Sequence, residues 1–208
     1  MILPVTQKAP KFTKEKTLLM MDSLSTCPLK NSGIRVVHPI GDGSSGIFLI
    51  GEAPGAKEDK VGEPFVGASG KFLNGTLLTS VGLSRKNIYL TNIVKCRPPE
   101  NRDPTDEEKA AWSPVLMAEI IALKPKLIVC LGRHSLSFFL PEAKIGEVHG
   151  KIQKVRLYKN LEIEVLPLYH PAVALYNPNY RKILIEDFSI IKPKIDEDSK
   201  TEDDSVLL

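Results

Sequence analysis

The sequence predicts an α/β fold with a parallel sheet and crossover helices. Short apolar runs rich in β-branched and aromatic residues alternate with longer segments whose apolar residues recur at helical spacing, as is typical of βαβ units. Each run is apolar almost throughout, as expected for strands that are covered on both faces. Four runs are predicted to be strands: residues 47–52, 87–94, 126–132 and 162–170.

Helical periodicity fills the segments between the predicted strands. Thr105 followed by Glu108 forms a capping box, in which each side chain accepts a hydrogen bond from the other residue's backbone amide. This pair fixes the start of the longest helix. Helices are predicted near residues 14–24, 69–83, 105–124, 133–140 and 178–191.

The length of 208 residues suffices for one domain with a full core. We predict a single domain over residues 1–195, of which residues 1–46 are the least defined part. Residues 196–208 carry six of the 25 acidic side chains, and we predict that this tail is disordered. The remaining body is more basic than the formal net charge of +3, so it would tolerate a polyanionic partner.

Neither a membrane span nor a secretory signal is evident in the sequence. No apolar run approaches the ~20 residues that span a bilayer, and the first residues lack an apolar core followed by a cleavage site. The three cysteines, Cys27, Cys96 and Cys130, are an odd number without a CxxC pair, which argues against a disulfide framework. We therefore expect a cytoplasmic protein in a reducing compartment, acting as a monomer.

Polar side chains follow the predicted strands at the points where they end. In an open α/β sheet, ligands bind beyond the carboxyl ends of the strands. The first strand delivers Glu52, Ala53 and Gly55, the second delivers Asn92, and the last delivers His170. A carboxylate, an amide and an imidazole are therefore expected to share one site.

The loop after the first strand, GEAPGAKED, does not fit the known phosphate-binding patterns. It lacks the GK[ST] ending of a Walker loop and the GxGxxG of a dinucleotide loop, and its carboxylates would repel a phosphate. An oxygen-ligand Mg²⁺ site stays open as an alternative. Its candidate ligands are Glu52, Glu58, Asp59 and Glu63.

A carboxylate, an amide and an imidazole beside an aromatic ring suit the binding of a planar base. An asparagine amide offers a donor and an acceptor side by side, which matches N3–H and O4 of uracil and mismatches the reversed edge of cytosine. Taken singly, each of these residues could serve only the fold, as a turn, core or solvated residue. Their coincidence at the strand ends favours a site.

Three blocks of the sequence resemble, in order and spacing, the signature blocks of the family 4 uracil-DNA glycosylases. The blocks are GEAPGAKEDKVGEPFVGASGKFLNGTL, YLTNIVKCRPPENRDPTDEE and YHPAVAL, and the resemblance covers about residues 27–188. Three long motifs in order are more specific than any short pattern. The resemblance implies a three-layer α/β/α sandwich around a four-stranded parallel sheet, and an enzyme that excises uracil from single- or double-stranded DNA.

The resemblance also implies roles for individual residues. Glu52 would stabilise a cationic sugar and orient the attacking water, and His170 would donate to uracil O2 as the base leaves. Phe65 would stack on the flipped uracil, and Asn92 would read its Watson–Crick edge. The catalytic residues are thus expected to be Glu52 and His170, and the substrate-binding residues Ala53, Gly55, Phe65 and Asn92.

DNA contacts follow from the same resemblance. The YHPAVALYNP segment is similar to a loop that enters the duplex, with Leu175 as its apolar wedge. Tyr176 stands where relatives often carry arginine, so the mode of strand binding is expected to differ. His134 and His149 are assigned structural roles. Phosphate contacts, which position DNA without reading its sequence, are expected from Lys95, Arg97, Arg102, Arg181 and Lys182.

The cysteines depart from the family pattern. Family 4 members carry four cysteines that hold a four-iron four-sulfur cluster. This chain keeps Cys27 and Cys96 of that pattern, whereas Leu24 and Trp112 occupy the other two positions. Because two thiolates cannot supply four ligands, we expect no cluster and no other cofactor, with the large apolar side chains filling its volume.

Two other functions are kept as alternatives. One is a protein that binds uracil-containing or otherwise modified DNA without cutting it; retention of Glu52, Asn92 and His170 argues against this. The other is a Mg²⁺-dependent nucleotide hydrolase, which requires that the acidic loop bind the ion. The chain lacks the basic, histidine-bearing insertion of the related proteins that become trapped covalently on DNA, so turnover is expected.

Overall fold

A five-stranded sheet forms the centre of the computed structural model, which describes residues 13–158, 161–192 and 194. Its strands are β1 (Ile47–Gly51), β2 (Tyr89–Asn92), β3 (Leu127–Leu131), β4 (Gln153–Tyr158) and β5 (Leu161–Leu168). They lie in the order β2-β1-β3-β5-β4. The first four of that order are parallel, and β4 pairs antiparallel with β5 at the edge.

The predicted four-stranded parallel sheet is confirmed, and β4 is an additional strand that the sequence interpretation missed. Along β4, Val155 is buried whereas Lys154 and Arg156 are exposed. This alternation is that of a half-buried edge strand. A search for continuous apolar runs does not find such a strand.

The helices surround this sheet, and all the predicted ones are present. Capping of the longest is as expected: Thr105 Oγ1 accepts from the Glu108 amide at 3.2 Å, and Glu108 Oε2 accepts from the Thr105 amide at 2.8 Å. A π-helical stretch (Leu73–Leu78) continues α4, and short 3₁₀ turns cover Pro99–Asn101 and Ser189–Ile191. The α-helices are α1 (Lys14–Ser23), α2 (Pro28–Asn31), α3 (Ala56–Val61), α4 (Ala68–Phe72), α5 (Asp106–Leu123), α6 (Arg133–Phe139), α7 (Ile145–Val148), α8 (Val173–Tyr176) and α9 (Pro178–Phe188).

Two apolar clusters on opposite faces of the sheet confirm the three-layer arrangement. Successive residues of β1 point alternately to the two faces. Phe48 and Ile50 pack with Trp112 under α1, α5 and α6. Ile47 and Leu49 pack with Phe188 under α4 and α9. Because both faces are covered, the ends of the strands are where a ligand can reach the sheet.

The segment before β1 packs along the sheet. Isolated bridges join Val36 to Cys96 and Ile40 to Leu90. The acidic tail predicted to be disordered, residues 196–208, lies outside the described residues. No helix in the described ranges combines the length and apolar character needed to cross a bilayer.

Candidate active site

Residues at or just after the carboxyl ends of β1, β2 and β5 form one wall of a cavity of about 460 Å³. Gly51 lies opposite Asn92 in the register of β1 and β2, and the Gly132 amide donates to the carbonyl of Leu168 at 2.8 Å. The loops that follow these strands therefore converge. Every residue predicted to act in catalysis or substrate binding lines the cavity, which is bordered by Glu52, Ala53, Pro54, Gly55, Glu58, Phe65, Ser69, Asn92, Pro98, Asn101, Arg102, His170, Ala172 and Tyr176.

Phe65 reaches the cavity from a strained turn. Its backbone has a φ of +53°, in the left-handed region that non-glycine residues rarely adopt. The Arg85 guanidinium holds this turn by donating to the carbonyls of Pro64 and Phe65 at 2.9 and 3.0 Å. The Glu58 carboxylate accepts from the Gly67 amide at 2.8 Å. Several contacts thus impose one position on the aromatic ring.

Gly51 permits the close approach of this ring to Asn92. A Cβ atom at position 51 would lie 2.4 Å from Asn92 Oδ1 and 2.6 Å from Phe65 Cζ. A side chain there would displace both groups, so the end of β1 requires glycine. Sequence reasoning missed this role because a glycine at a strand end is first interpreted as a turn residue.

The Asn92 side chain is held in place, and the donors and acceptor of its amide are available to a ligand. The residue is 4% exposed and lines the cavity. Within the part of the chain that the structure describes, no protein group bonds to its side-chain amide. Its backbone carbonyl accepts from Lys95 Nζ at 2.6 Å. The amide can therefore offer one donor face and one acceptor to a ligand.

Lys95 was predicted to contact phosphate, and that prediction is wrong. Its side chain is 0% exposed and forms an ion pair with Glu119 at 2.7 Å. Nζ also donates to Thr91 Oγ1 at 2.7 Å, and the Tyr89 hydroxyl donates to Glu119 at 2.9 Å. Complete burial lowers the pKa of Lys95, and the Glu119 carboxylate opposes that shift. Lys95 anchors the backbone of Asn92 instead of facing DNA.

His170 is arranged as a neutral hydrogen-bond donor. Its Nδ1 accepts from the backbone amide of Ala172 at 3.2 Å, which places the proton of the neutral ring on Nε2. Desolvation by the surrounding protein lowers the pKa of His170 to about 4, with Glu58 opposing that shift. Gly132, at φ +98°, makes room for the ring, since a Cβ there would lie 3.0 Å from His170 Cβ.

Glu52 lies among charged groups that the prediction did not include. His134 Nε2 is 3.9 Å from Glu52 Oε2 and 3.2 Å from Asp103 Oδ2. Arg133 donates to Asp103 at 2.6 Å. Desolvation raises the pKa of Glu52, His134 and Arg133 oppose this, and Asp103 adds to it. His134, assigned a structural role from the sequence, therefore lies beside the predicted catalytic carboxylate.

The acidic loop does not gather into the Mg²⁺ site considered from the sequence. Glu58 accepts hydrogen bonds from two backbone amides, and Glu63 lies 3.4 Å from a guanidinium, so both carboxylates are engaged. Glu52 groups instead with Asp103 and His134, their ligand atoms lying within 4.8 Å of one another. The arginine 2.6 Å from the aspartate disfavours a cation there, and no metal is assigned.

The predicted wedge and two of the predicted basic contacts lie together on α8 and α9. Leu175 is 43% exposed and Tyr176, which borders the cavity, is 87% exposed. The Arg181 guanidinium lies 4.7 Å from the centre of the Phe72 ring. The Lys182 side chain is 82% exposed. These residues form a mixed apolar and basic surface beside the mouth of the cavity.

The two remaining arginines predicted to contact DNA are tied to the loop before α5. Arg102 borders the cavity and donates to both carboxylate oxygens of Glu108, at 2.9 and 2.6 Å. That contact lowers the pKa of Glu108. Arg97 Nε donates to Asn101 Oδ1 at 2.8 Å. Both guanidiniums therefore help to shape this loop.

The cysteine region does not fit a four-iron four-sulfur cluster. Cys27, Cys96 and Cys130 are free and buried. The Trp112 indole N–H donates to Cys27 Sγ at 3.1 Å, and Leu24 packs against the same core cluster. Burial raises the pKa of Cys96 to about 12, which disfavours a thiolate. A cluster of this kind needs four ligands, and two cysteines beside a tryptophan do not provide them.

The chain belongs to the uracil-DNA glycosylase superfamily. The family model described as "Uracil DNA glycosylase superfamily" matches residues 38–189. That range contains all four parallel strands and every residue predicted to act in catalysis or substrate binding.

Type-4 members of this superfamily are similar over most of the chain. A type-4 uracil-DNA glycosylase of Sulfurisphaera tokodaii is 48% identical over 176 residues, which cover 82% of this chain and 79% of that protein. The type-4 enzyme of Archaeoglobus fulgidus is 41% identical over 81% of this chain and 86% of its own length. The type-4 enzyme of Thermotoga maritima is 39% identical over 81% of this chain and 87% of its own length. The family 4 resemblance read from the sequence is confirmed.

Proposed function

We propose that this protein is a monofunctional uracil-DNA glycosylase of DNA repair. It flips uracil out of DNA and hydrolyses the N-glycosidic bond, leaving an abasic site. One observation carries the proposal: a carboxylate, an unbonded amide, an aromatic ring and a neutral imidazole face one cavity of about 460 Å³. That volume lies within the ~300–1,000 Å³ usual for sites that bind small molecules.

Base recognition is assigned to Phe65 and Asn92. The flipped uracil stacks on the Phe65 ring, which the turn holds in place before the base arrives. The Asn92 amide then pairs with N3–H and O4 of uracil, whereas cytosine presents the reversed pattern and leaves a buried polar group unpaired. Gly51 keeps the ring and the amide close enough to act on one base.

Bond cleavage is assigned to His170 and Glu52. As the bond between the sugar C1′ and uracil N1 breaks, its electrons move onto the base, and His170 Nε2–H stabilises the negative charge at O2. The Glu52 carboxylate faces the cationic sugar and orients a water molecule whose oxygen bonds to C1′, while the proton that this water releases ends on the departing uracil anion. No covalent bond to the enzyme is formed, so no lysine is required and the product is an abasic site.

DNA binding is assigned to the surface beside the cavity. Leu175 enters the space that the flipped base leaves, and basic side chains contact phosphates around it. We further infer that the protein acts as a cytoplasmic monomer on single- or double-stranded DNA. The phosphate contacts are assigned to Arg97, Arg102, Arg181 and Lys182.

We also infer that the protein works without an iron-sulfur cluster. The Trp112 side chain is fully buried at one of the positions where the family carries a cysteine, and its indole contacts Cys27. A packed aromatic residue can supply the contacts that hold this part of the fold together. None of the proposed catalytic steps involves a metal.

The test is excision from labelled oligonucleotides that contain one uracil, in single-stranded and double-stranded form. After incubation with the protein, alkaline treatment cleaves the strand wherever the base has been removed. Matched oligonucleotides with cytosine or thymine at the same position are the controls. We expect strand scission only with uracil, and its absence from both uracil substrates would contradict the proposal.

Two additional arms separate the alternatives. Excision in the presence of EDTA distinguishes the glycosylase from a Mg²⁺-dependent hydrolase, which would lose activity. A gel-shift measurement on the same oligonucleotides identifies a binding-only protein, which would retain the uracil substrate without cutting it. We expect full activity in EDTA.

A further inference from the structure

Glu52 is surrounded by three charged side chains. These side chains have no part in base recognition or in stabilisation of the leaving group. Glu52 follows β1, Asp103 precedes α5, and Arg133 and His134 begin α6. These elements are separated in sequence and meet only through the fold. The side chains of Arg133 and Asp103 are 69% and 58% exposed, whereas those of Glu52 and His134 are 30% and 15% exposed.

One nitrogen of the His134 ring, Nε2, faces both negatively charged and positively charged groups. Nε2 is 3.2 Å from Asp103 Oδ2 and 3.9 Å from Glu52 Oε2, and it accepts from Arg133 Nε at 3.0 Å. A neutral ring with Nε2 unprotonated keeps the contact with Arg133. A ring protonated at Nε2 exchanges that contact for the two carboxylates. Imidazole is the side chain best suited to such an exchange near neutral pH.

We propose that His134 and Asp103 are positioning residues for Glu52, in which the His134 imidazole favours the ionised form of the Glu52 carboxylate and the Asp103 carboxylate opposes it. The inference rests on the proposed function, in which Glu52 acts as a carboxylate. Neither residue touches the substrate; both act through the charge on Glu52. The cluster therefore sets the lowest pH at which the enzyme works.

The direction of each effect follows from the sign of the charge. Desolvation raises the pKa of Glu52, so its charge is lost at a higher pH than that of a solvated glutamate. A positive imidazole opposes this, and the Asp103 carboxylate adds to it. Removing the imidazole must move the titration of Glu52 to higher pH. Removing the carboxylate of Asp103 must move it to lower pH.

Other charged groups face Glu52 and form a constant background. Lys109 on α5 and Arg133 on α6 both lower the pKa of Glu52. Glu58, Arg102 and His170 line the same cavity. None of these residues changes in the variants compared below, so a difference between two variants reports the group that was replaced.

The test compares the pH dependence of excision in His134→Asn, Asp103→Asn and the unaltered protein. Single-turnover rates with enzyme in excess remove the effects of DNA affinity and product release. We expect the acidic limb of the pH–rate profile to move to higher pH by about one unit in His134→Asn and to lower pH in Asp103→Asn. His149→Asn is the matched control, because His149 pairs with Asp187 at 2.7 Å and does not line the cavity; its acidic limb should stay in place.

A direct titration of Glu52 separates this inference from the proposed function. Protein labelled with ¹³C at the glutamate carboxyls is titrated by NMR, and Glu52→Gln assigns the signal by its loss. This signal reports ionisation even if no uracil is excised. A displacement to higher pH in His134→Asn together with a displacement to lower pH in Asp103→Asn supports the inference; any other pair of results overturns it. If His134→Asn does not fold, Asp103→Asn decides alone, since a titration that stays in place or moves to higher pH overturns it.

Discussion

Two charged clusters lie on either side of residues that line the cavity, one behind Asn92 and one around Glu52, and they differ in how completely their charges are paired. Behind β2, Lys95 and Glu119 are 0% exposed, and Lys95 Nζ donates to three acceptors within 2.7 Å. At the cavity, Glu52 is 30% exposed and its neighbour His134 is 3.9 Å away. The first cluster has no capacity left for a ligand. The second leaves a carboxylate available for one.

This difference separates positioning from chemistry. A buried ion pair stabilises a fold only when hydrogen bonds satisfy both charges, because desolvation opposes the attraction. The Lys95 cluster meets that condition and fixes the backbone of Asn92. Charged groups that face a cavity and are incompletely paired are instead typical of functional sites. Their electrostatic interactions remain available to stabilise a transition state.

The largest effect is expected at the cavity. Glu52→Gln and Asn92→Ala should each lower the rate of uracil excision by about 10²- to 10³-fold, because each removes a cavity group that the proposed function assigns to the reacting base or sugar. Single-turnover kinetics on a uracil oligonucleotide measure this loss. The thermal midpoint of unfolding should remain within a few degrees of that of the unaltered protein, since neither side chain is needed by a buried partner.

A matched substitution on the acidic loop provides the control. Glu63→Gln alters a carboxylate of the same loop that is 55% exposed and pairs with Arg85. It should change the excision rate little. Near-normal rates for both Glu52→Gln and Asn92→Ala would show that the catalytic site lies elsewhere.

A substitution in the buried Lys95 cluster should instead lower the stability of the fold. Lys95→Met leaves the Glu119 carboxylate without its cation, and we expect the free energy of unfolding to fall by about 3–5 kcal/mol. Urea denaturation measures this change. Lys95→Met combined with Glu119→Leu should regain much of the loss, because the unpaired charge is then gone. An unchanged free energy of unfolding in Lys95→Met would contradict the structural role of the pair.

The fold was predictable where the pattern of side chains is local. The four parallel strands are continuous apolar runs, and Thr105 with Glu108 marks the start of α5 within four residues. β4 was missed because an edge strand alternates polar and apolar side chains. Such a pattern is shared with amphipathic loops and turns, so composition alone does not separate them.

The site was predictable only in part, for a related reason. Glu52, Asn92 and His170 lie in recognisable blocks at strand ends, so their convergence followed from topology. The roles of Lys95 and His134 depend on partners that are remote in sequence. Glu119 lies 24 positions after Lys95, and the sequence shows the residue types without showing that the two meet. An isolated lysine is read as a surface residue until its carboxylate is located.

The region around Trp112 tests whether a buried aromatic side chain can replace an iron-sulfur cluster. Trp112 is fully buried and its indole donates to Cys27 Sγ at 3.1 Å. Trp112→Ala should lower the free energy of unfolding by about 3 kcal/mol, measured by urea denaturation, because it opens a large cavity in the core. Iron and sulfide analysis of anaerobically purified protein accompanies this measurement. Stoichiometric iron and sulfide, or an alanine variant as stable as the unaltered protein, would contradict the proposal that packing replaces the cluster.

The smallest effect is expected at Tyr176, which belongs to neither charged cluster. It is 87% exposed at the mouth of the cavity, so Tyr176→Ala should leave the free energy of unfolding unchanged. Stacking of an aromatic ring on a base contributes ~1 kcal/mol or more, so affinity for uracil-containing DNA should fall about fivefold. Fluorescence anisotropy with a labelled oligonucleotide measures this change. Tyr176→Phe keeps the ring and should bind as the unaltered protein does; an equal loss in both variants would assign the effect to the hydroxyl group instead.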